Sequence, residues 1–286
     1  VEEGILSLSD STFRNNLAVI TEEDDLFGAC INLFDSSAAI EDCTFQGNEG
    51  DFGPAIFVRQ SDLNLTDCRF EDNAAILGGG LNVRNQSSVF ITNCVFVSNS
   101  VLEDGGAIHT SNSSMDAVNV SFTGNSARNS GGGLFLESSM HVNITNAVSL
   151  NNTAQFGGFI CLLNSSVAVS HTQCSNDTAV HSGGSVYIGD SLLTVENCQM
   201  KNGHANHGGF VTCIQSSLIL RNSTLDSGLA QSQGGAVYAS EESNIEIQSV
   251  SMHSNEAVDE GGSIFVQHRS NATVNNSDIS SNLASL

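Results

Sequence analysis

Lysine is nearly missing from this chain. Lys201 is the only one, and with seven arginines it faces 31 Asp and Glu, for a formal charge of -23. A surface with no basic stripe cannot neutralise phosphates, which excludes nucleic acid and anionic membranes as partners. The acidity itself serves to keep a β-rich chain soluble. No apolar run is long enough to span a bilayer, so direct membrane insertion is not expected of this segment. There is no initiator Met or signal-like start, and the chain reads as one domain, residues 1-286, excerpted from a longer polypeptide. No Cys-x-x-Cys pair is present, which argues against zinc. The single Pro and the lack of any ten-residue helical pattern remove helical repeats from consideration.

What is present is repetition. Taking the second residue of a glycine pair as marker gives Gly28, Pro54, Gly79, Gly106, Gly132, Gly158, Gly184, Gly209, Gly235 and Gly262, with spacings of 25 to 27 residues. A period this regular means a solenoid whose units bury their apolar faces on one another. Each unit holds short period-two apolar alternations punctuated by Gly, Ser and Asn, so the predicted fold is an all-β parallel β-helix of ten to eleven coils, about 26 residues each. At roughly 4.8 Å per coil the rod is on the order of 50 Å long.

The predicted columns follow from the alternation. Leu81, Ile108, Val186, Val237 and Ile264 point inward after the marker, and Leu63, Leu65, Val89, Ile91, Val167, Val169, Leu218, Leu220, Ile245 and Ile247 do so on a second strand. A Cys-x-Phe-x-x-Asn register comes next, as in Cys68, Phe70, Asn73 and Cys94, Phe96, Asn99. An inward Asn must satisfy its amide and the bend, and stacked Asn side chains do both. The predicted ladder is Asn48, Asn73, Asn99, Asn125, Asn152, Asn255 and Asn282, lapsing at Asp177, Gly203 and Gly228, where the coils should be less regular.

Gly105-Gly106-Ala107-Ile108 with Phe122-Thr123-Gly124-Asn125, repeated as GGGL, GGSV, GGAV and GGSI, resembles the GGA[ILV] and FxxN repeats of chlamydial polymorphic outer membrane proteins. The resemblance implies a right-handed, pectate-lyase-like parallel β-helix that acts as a surface adhesin and tends to oligomerise. The chain departs from that family in lacking a C-terminal membrane barrel and in placing Met200, Leu225 or Ile279 at the Phe position.

Asn-x-Ser/Thr sequons begin at Asn64, Asn85, Asn112, Asn119, Asn143, Asn151, Asn164, Asn176, Asn222, Asn271 and Asn275, none in the ladder column. They are the expected N-glycan acceptors of an extracellular or cell-surface protein. Eight Cys in such a chain leave two readings open: bridges such as Cys68 with Cys94, Cys30 with Cys43 and Cys161 with Cys174, or a ladder of buried free thiols. Three residues after the marker, Phe57, Phe135, Tyr187, Tyr238 and Phe265 should point outward, as ladder stacking or as a stripe that another chain, a glycan or a sugar polymer covers.

Catalysis on this scaffold needs facing carboxylates, or clustered acids for calcium with a basic residue. Acids gather at turns: Glu22, Glu23, Asp24 and Asp25, then Glu49 and Asp51, Glu103 and Asp104, Asp259 and Glu260. Solvated turns are the favoured explanation for them, with a weak calcium site the lesser alternative. Arg59 and Arg84 hold equivalent places in adjacent coils, which suggests an anion contact, and His204 and His207 lack a third ligand at metal spacing. No coil departs from the period by more than about a residue, so no insertion builds a cleft. The expectation is a structural glycoprotein that self-associates into a rod or fibre and needs no cofactor. An adhesin with a glycan or surface ligand is the alternative, and a polysaccharide lyase or hydrolase the less favoured one.

Overall fold

A computed structural model describes residues 1-18 and 28-285. It is a parallel β-helix with four sheets, numbered here in the order the chain meets them in a coil. Sheet 1 holds ten strands that follow the glycine pair, such as Leu81–Arg84 and Ile108–Ser111. Sheets 2 and 3 hold eleven each, as in Ser88–Thr92 and Val95–Val97, and sheet 4 holds nine, as in Ser100–Val101. Every pairing is parallel and joins one coil to the next, so Leu63, Val89 and Met115 stack in one column.

The four sheets meet at corners that the backbone turns with left-handed residues. Between sheets 1 and 2 these include Asp35, Gln60, Asn112, Asn164 and Asp190, and between sheets 2 and 3 Asp42, Asp67, Asn93 and Asn119. Asn and Asp tolerate this conformation best among residues with a side chain, which is why they recur here. Entry to sheet 1 is tighter. Gly105 has φ +74°, and a Cβ on Gly106 would collide with the Gly132 carbonyl one coil on, so the pair is fixed by geometry.

Inside, Phe13, Phe45, Phe70, Phe96 and Phe122 form a stack with centroids 4.6 to 5.4 Å apart and planes within 10°. The column then gives Ser149, Cys174, Met200, Leu225 and Met252. The lost volume is supplied from across the coil. Phe159, in a column otherwise holding small residues such as Gly133 and Ala107, enters from sheet 1 and lies 5.3 Å from Phe122. Phe210 enters in the same way two coils on, into space that Cβ atoms at Gly203 and Gly228 would occupy. The coils stay in register through sheets 1 to 3. The irregularity expected in the middle falls in sheet 4 instead, at Ala154/Phe156, Thr178/Ser182 and Ala205/His207.

Two sequence readings need correction. The coil offset is 32 at Leu17↔Glu49 but 25 at Ile31↔Ile56, so the first coil carries seven extra residues between Leu17 and Ile31. Gly28 therefore stands in the column of the first glycine, Gly53, and the period is not uniform. The acidic run Glu22, Glu23, Asp24 and Asp25 lies outside the described residues.

The disulfide reading is also overturned: all eight cysteines are free. For Cys43, Cys68 and Cys94 the reason is the stacking itself. In-register parallel strands hold equivalent Cβ atoms about 4.8 Å apart, beyond the ~3.5–4.5 Å a bridge needs, although the Cα distance is suitable. Each thiol instead donates to the carbonyl two residues back, Cys43 to Glu41, Cys68 to Thr66 and Cys94 to Thr92, at 3.1 to 3.3 Å. Cys30 Sγ accepts from Asn16 Nδ2 at 3.4 Å, and burial pushes its thiol up to about 11. Cys161 faces out of sheet 1 while Cys174 faces into the core from sheet 3, so this pair is separated by the wall of the coil.

Candidate functional site

Three polar seams run along the interior of the corners. In the first, Asn73 N and Nδ2 both donate to Asn99 Oδ1, at 3.1 and 2.9 Å, and Asn99 does the same to Asn125. Each Nδ2 also reaches a carbonyl one coil back, as Asn99 does to Phe70 at 3.0 Å. Asn48 and Asn152 continue this pattern, Asn16 extends it, and Asn255 bonds Asn282 at 2.9 Å. All amide valences are thereby used in holding coils together.

Asp177 interrupts the seam. It is 0 % exposed; its Oδ1 accepts from Asn152 N and Nδ2 at 3.0 and 3.1 Å, and its Oδ2 from Ser149 Oγ at 2.8 Å. Burial raises its carboxyl to about 7, and the three hydrogen bonds only partly oppose that.

The second seam escaped the sequence reading. Ser36, Ser61, Ser87, Ser113, Ser139, Ser165, Ser191, Ser216, Ser243 and Ser270 line the corner between sheets 1 and 2, and each backbone N–H donates to the next coil's Oγ at 2.9 to 3.4 Å. Serine is so common in this chain that its periodic subset is hidden; only its place directly after the left-handed corner residue marks it. The third seam is the Cys column, where Thr172, Ser223 and Ser277 make the thiol's bond with a hydroxyl, at 2.6 to 3.0 Å. A column of small residues, Ala75, Ala127, Ala154, Ala179, Ala205, Ala230 and Ala257, also went unread; it faces inward on sheet 4.

The aromatic column is not an open stripe. Phe57, Phe135 and Tyr238 are 4 %, 5 % and 8 % exposed, and Tyr187 and Phe265 are half-buried. The segment leading from sheet 4 into sheet 1 folds over them. Phe156 meets Tyr187 edge-on at 5.3 Å, His207 lies 4.9 Å from Tyr238, and Thr212 Oγ1 donates to the His207 carbonyl at 2.9 Å. Between these aromatics the column holds Asn82, His109, Cys161 and Thr212, each under 5 % exposed. His109 stacks on Phe135, and burial drives it down to about 3, so it stays neutral. A buried band outside the barrel cannot be told from an exposed one by alternation alone, because the covering segment has no period.

All eleven sequon asparagines are exposed. Seven of them, Asn85, Asn112, Asn119, Asn151, Asn164, Asn176 and Asn222, occupy left-handed corners. Asn64, Asn143, Asn271 and Asn275 lie on the outer face of sheet 2. None lies on sheet 4 or on the covering segment.

The acidic turns are dispersed. Ser232 donates to Asp259 at 2.7 Å and Gln233 to Glu260 at 2.8 Å; Asp104 bonds Ser130, and partial burial raises its carboxyl. Among the described residues no three His, Cys, Asp or Glu side chains converge as metal ligands would. His204 Nε2 bonds Gln231 at 3.3 Å, and burial lowers His207. Arg59 and Arg84 are register partners on sheet 1, with Cζ 4.8 Å above the Phe34 ring and 4.4 Å above the Phe52 ring.

Residues 3–127 match the model for a right handed beta helix region, and residues 119–137 match the Chlamydia polymorphic membrane protein repeat. The fold is a right-handed parallel β-helix. The polymorphic membrane protein repeat matches over one region only, which includes Phe122, Asn125 and the Gly131–Gly133 run. No curated protein and no solved structure shows a significant match to the chain. Among the described residues, no helix is long and apolar enough to cross a membrane.

Proposed function

We propose that this chain is a rod segment of an extracellular or cell-surface structural glycoprotein, with no catalytic role. The observation that carries this reading is the pairing of three interior seams with sequons that are exposed without exception. The polar side chains that recur with the period are used in binding coil to coil, which makes the scaffold itself the product of the sequence. The sequons sit at corners and on one outer face, where glycans shield the rod without entering it.

Rods of this kind stack end to end, each of the four sheets pairing on into the next rod. The apolar side chains in the inward columns of the last coil, Val274 at 43 % and Ile279 at 41 %, are those a coil of a neighbouring rod would cover. Electron microscopy of native material with glycopeptide mass spectrometry tests the proposal. Filaments or long rods with occupied sequons are expected; isolated short particles without glycans would overturn it. The repeat match over residues 119–137 supports an adhesin as the second reading. Because the aromatic column is covered, its ligand contact lies elsewhere, and Phe135→Ser with Tyr187→Ser would weaken folding before binding.

A further inference from the structure

We propose that Arg59 and Arg84 form a binding site for one oxyanion, a carboxylate or a sulfate. The site stands apart from the seams and does not rest on the glycoprotein reading.

The two arginines are exact register partners on adjacent strands, so their side chains leave the outer face of sheet 1 about 4.8 Å apart. Like charges stacked this closely repel each other, and a chain with 31 acidic residues has ample means to neutralise them. It does so for other cations. Arg69 pairs with Glu71, Arg221 with Glu246 and Arg269 with Glu242, at 2.9 to 3.3 Å. Arg14, Arg128 and Lys201 form no ion pair among the described residues, but they are exposed to solvent. Arg59 and Arg84 alone are both half-buried and without an ion pair among the described residues.

Both are held in place from below. Arg84 Nε donates to Asn82 Oδ1 at 2.8 Å, and each guanidinium carbon sits over an aromatic ring, 4.8 Å from the Phe34 centroid for Arg59 and 4.4 Å from the Phe52 centroid for Arg84. Arg59 Nε is buried with no acceptor. Among the described residues, no acceptor takes a hydrogen bond from the terminal nitrogens of either arginine. The nearby carboxylate that acts on Arg84 is Glu137, which accepts from Ser111 at 3.3 Å. Two guanidinium forks on register-paired strands, each anchored on an aromatic ring, supply the donors that a carboxylate or sulfate accepts bidentately. The bound oxyanion also removes the repulsion between the pair. Elsewhere the surface repels anions, so binding is confined to this point.

The test follows Arg side-chain Nε–H resonances of the whole chain by NMR while sodium sulfate or sodium acetate replaces chloride at constant ionic strength. Saturable shifts confined to Arg59 and Arg84 are expected. Arg59→Lys with Arg84→Lys keeps the charge, loses the fork and should weaken sulfate binding at least about ten-fold, while Arg69→Lys leaves it unchanged. A trimer of galacturonate then separates the sources: tighter binding than acetate assigns the site to an acidic polysaccharide, and equal binding assigns it to free anions. Shifts that do not saturate, that spread over all arginines, or that persist in the double variant overturn the proposal. The wild-type titration decides the matter even if the double variant does not fold.

Discussion

The coils from Ile31 to Asn152 and those from Thr153 to Met252 build the same cross-section from different parts. In the first group the Asn seam is unbroken and the Phe stack runs as far as Phe122, with Ser149 its first departure, so most coils are nearly copies of the next. In the second group Cys174, Met200, Leu225 and Met252 replace Phe, while Asp177, Gly203 and Gly228 replace Asn. Phe159 and Phe210 restore the missing volume from the opposite wall. The comparison teaches that the scaffold conserves filled volume rather than residue identity at a column, and gives up seam hydrogen bonds at Gly203 and Gly228 to do so. Repetition is one solution, and compensation across the coil is another.

The sharpest way to break the comparison is to remove a compensating ring. Phe210→Ala opens a cavity that neighbouring glycines cannot fill, and should cost about 3–5 kcal/mol in urea unfolding. A smaller loss, comparable to replacing Leu225 by Ala, would mean the second group repacks freely. Next in size is Asn99→Ala, which strips two donors on Asn73 of their acceptor and takes the Nδ2 donor away from the Phe70 carbonyl. A loss of about 3 kcal/mol is expected, visible as a lower melting temperature with hydrogen exchange raised in the flanking coils first.

Asp177 tests the junction between the groups. Its carboxyl is raised in the folded chain from 3.8 to about 7, so folding favours the protonated form. Stability from this group is fully present below pH ~4 and is lost as pH rises through about 7. Asp177→Asn should remove that dependence, gaining on the order of 2–3 kcal/mol over the wild type at pH 8 relative to pH 5. Parallel pH–stability curves for the two proteins would show that the carboxyl is not held as described. The smallest effect is expected for Cys68→Ser. Ser223 already makes the same corner bond in this column, so the change should stay within about 1 kcal/mol, and alkylation of the unfolded wild type should label all eight thiols without prior reduction.

Much of this was legible in the order of residues. The markers from Pro54 to Gly262 fixed the coil, and alternation placed Val89, Ile91 and their equivalents in the core. Asn at a bend two turns from a glycine pair pointed to a shared seam because few side chains serve donor and acceptor at once. Other features left no period to read. Seven extra residues in the first coil were absorbed by reading Gly28 as the second glycine. The covering segment over Phe135 and Tyr238 varies from coil to coil, so burial on the outer face gave no signal. The disulfide reading used the Cα spacing, whereas the parallel Cα–Cβ directions decide the matter. The Arg59 and Arg84 pair was visible as a column, but its lack of an ion pair is a property of three dimensions.

The serine seam has one further consequence. From Ser36 to Ser243 each seam serine's backbone N–H donates to the Oγ of the following coil's serine, ending at Ser270, and the asparagine seam runs the same way. The rod is therefore vectorial, with an arrow built into each bond. Two such rods joined tail to head would continue both seams without a break, whereas two joined face to like face would set donor against donor.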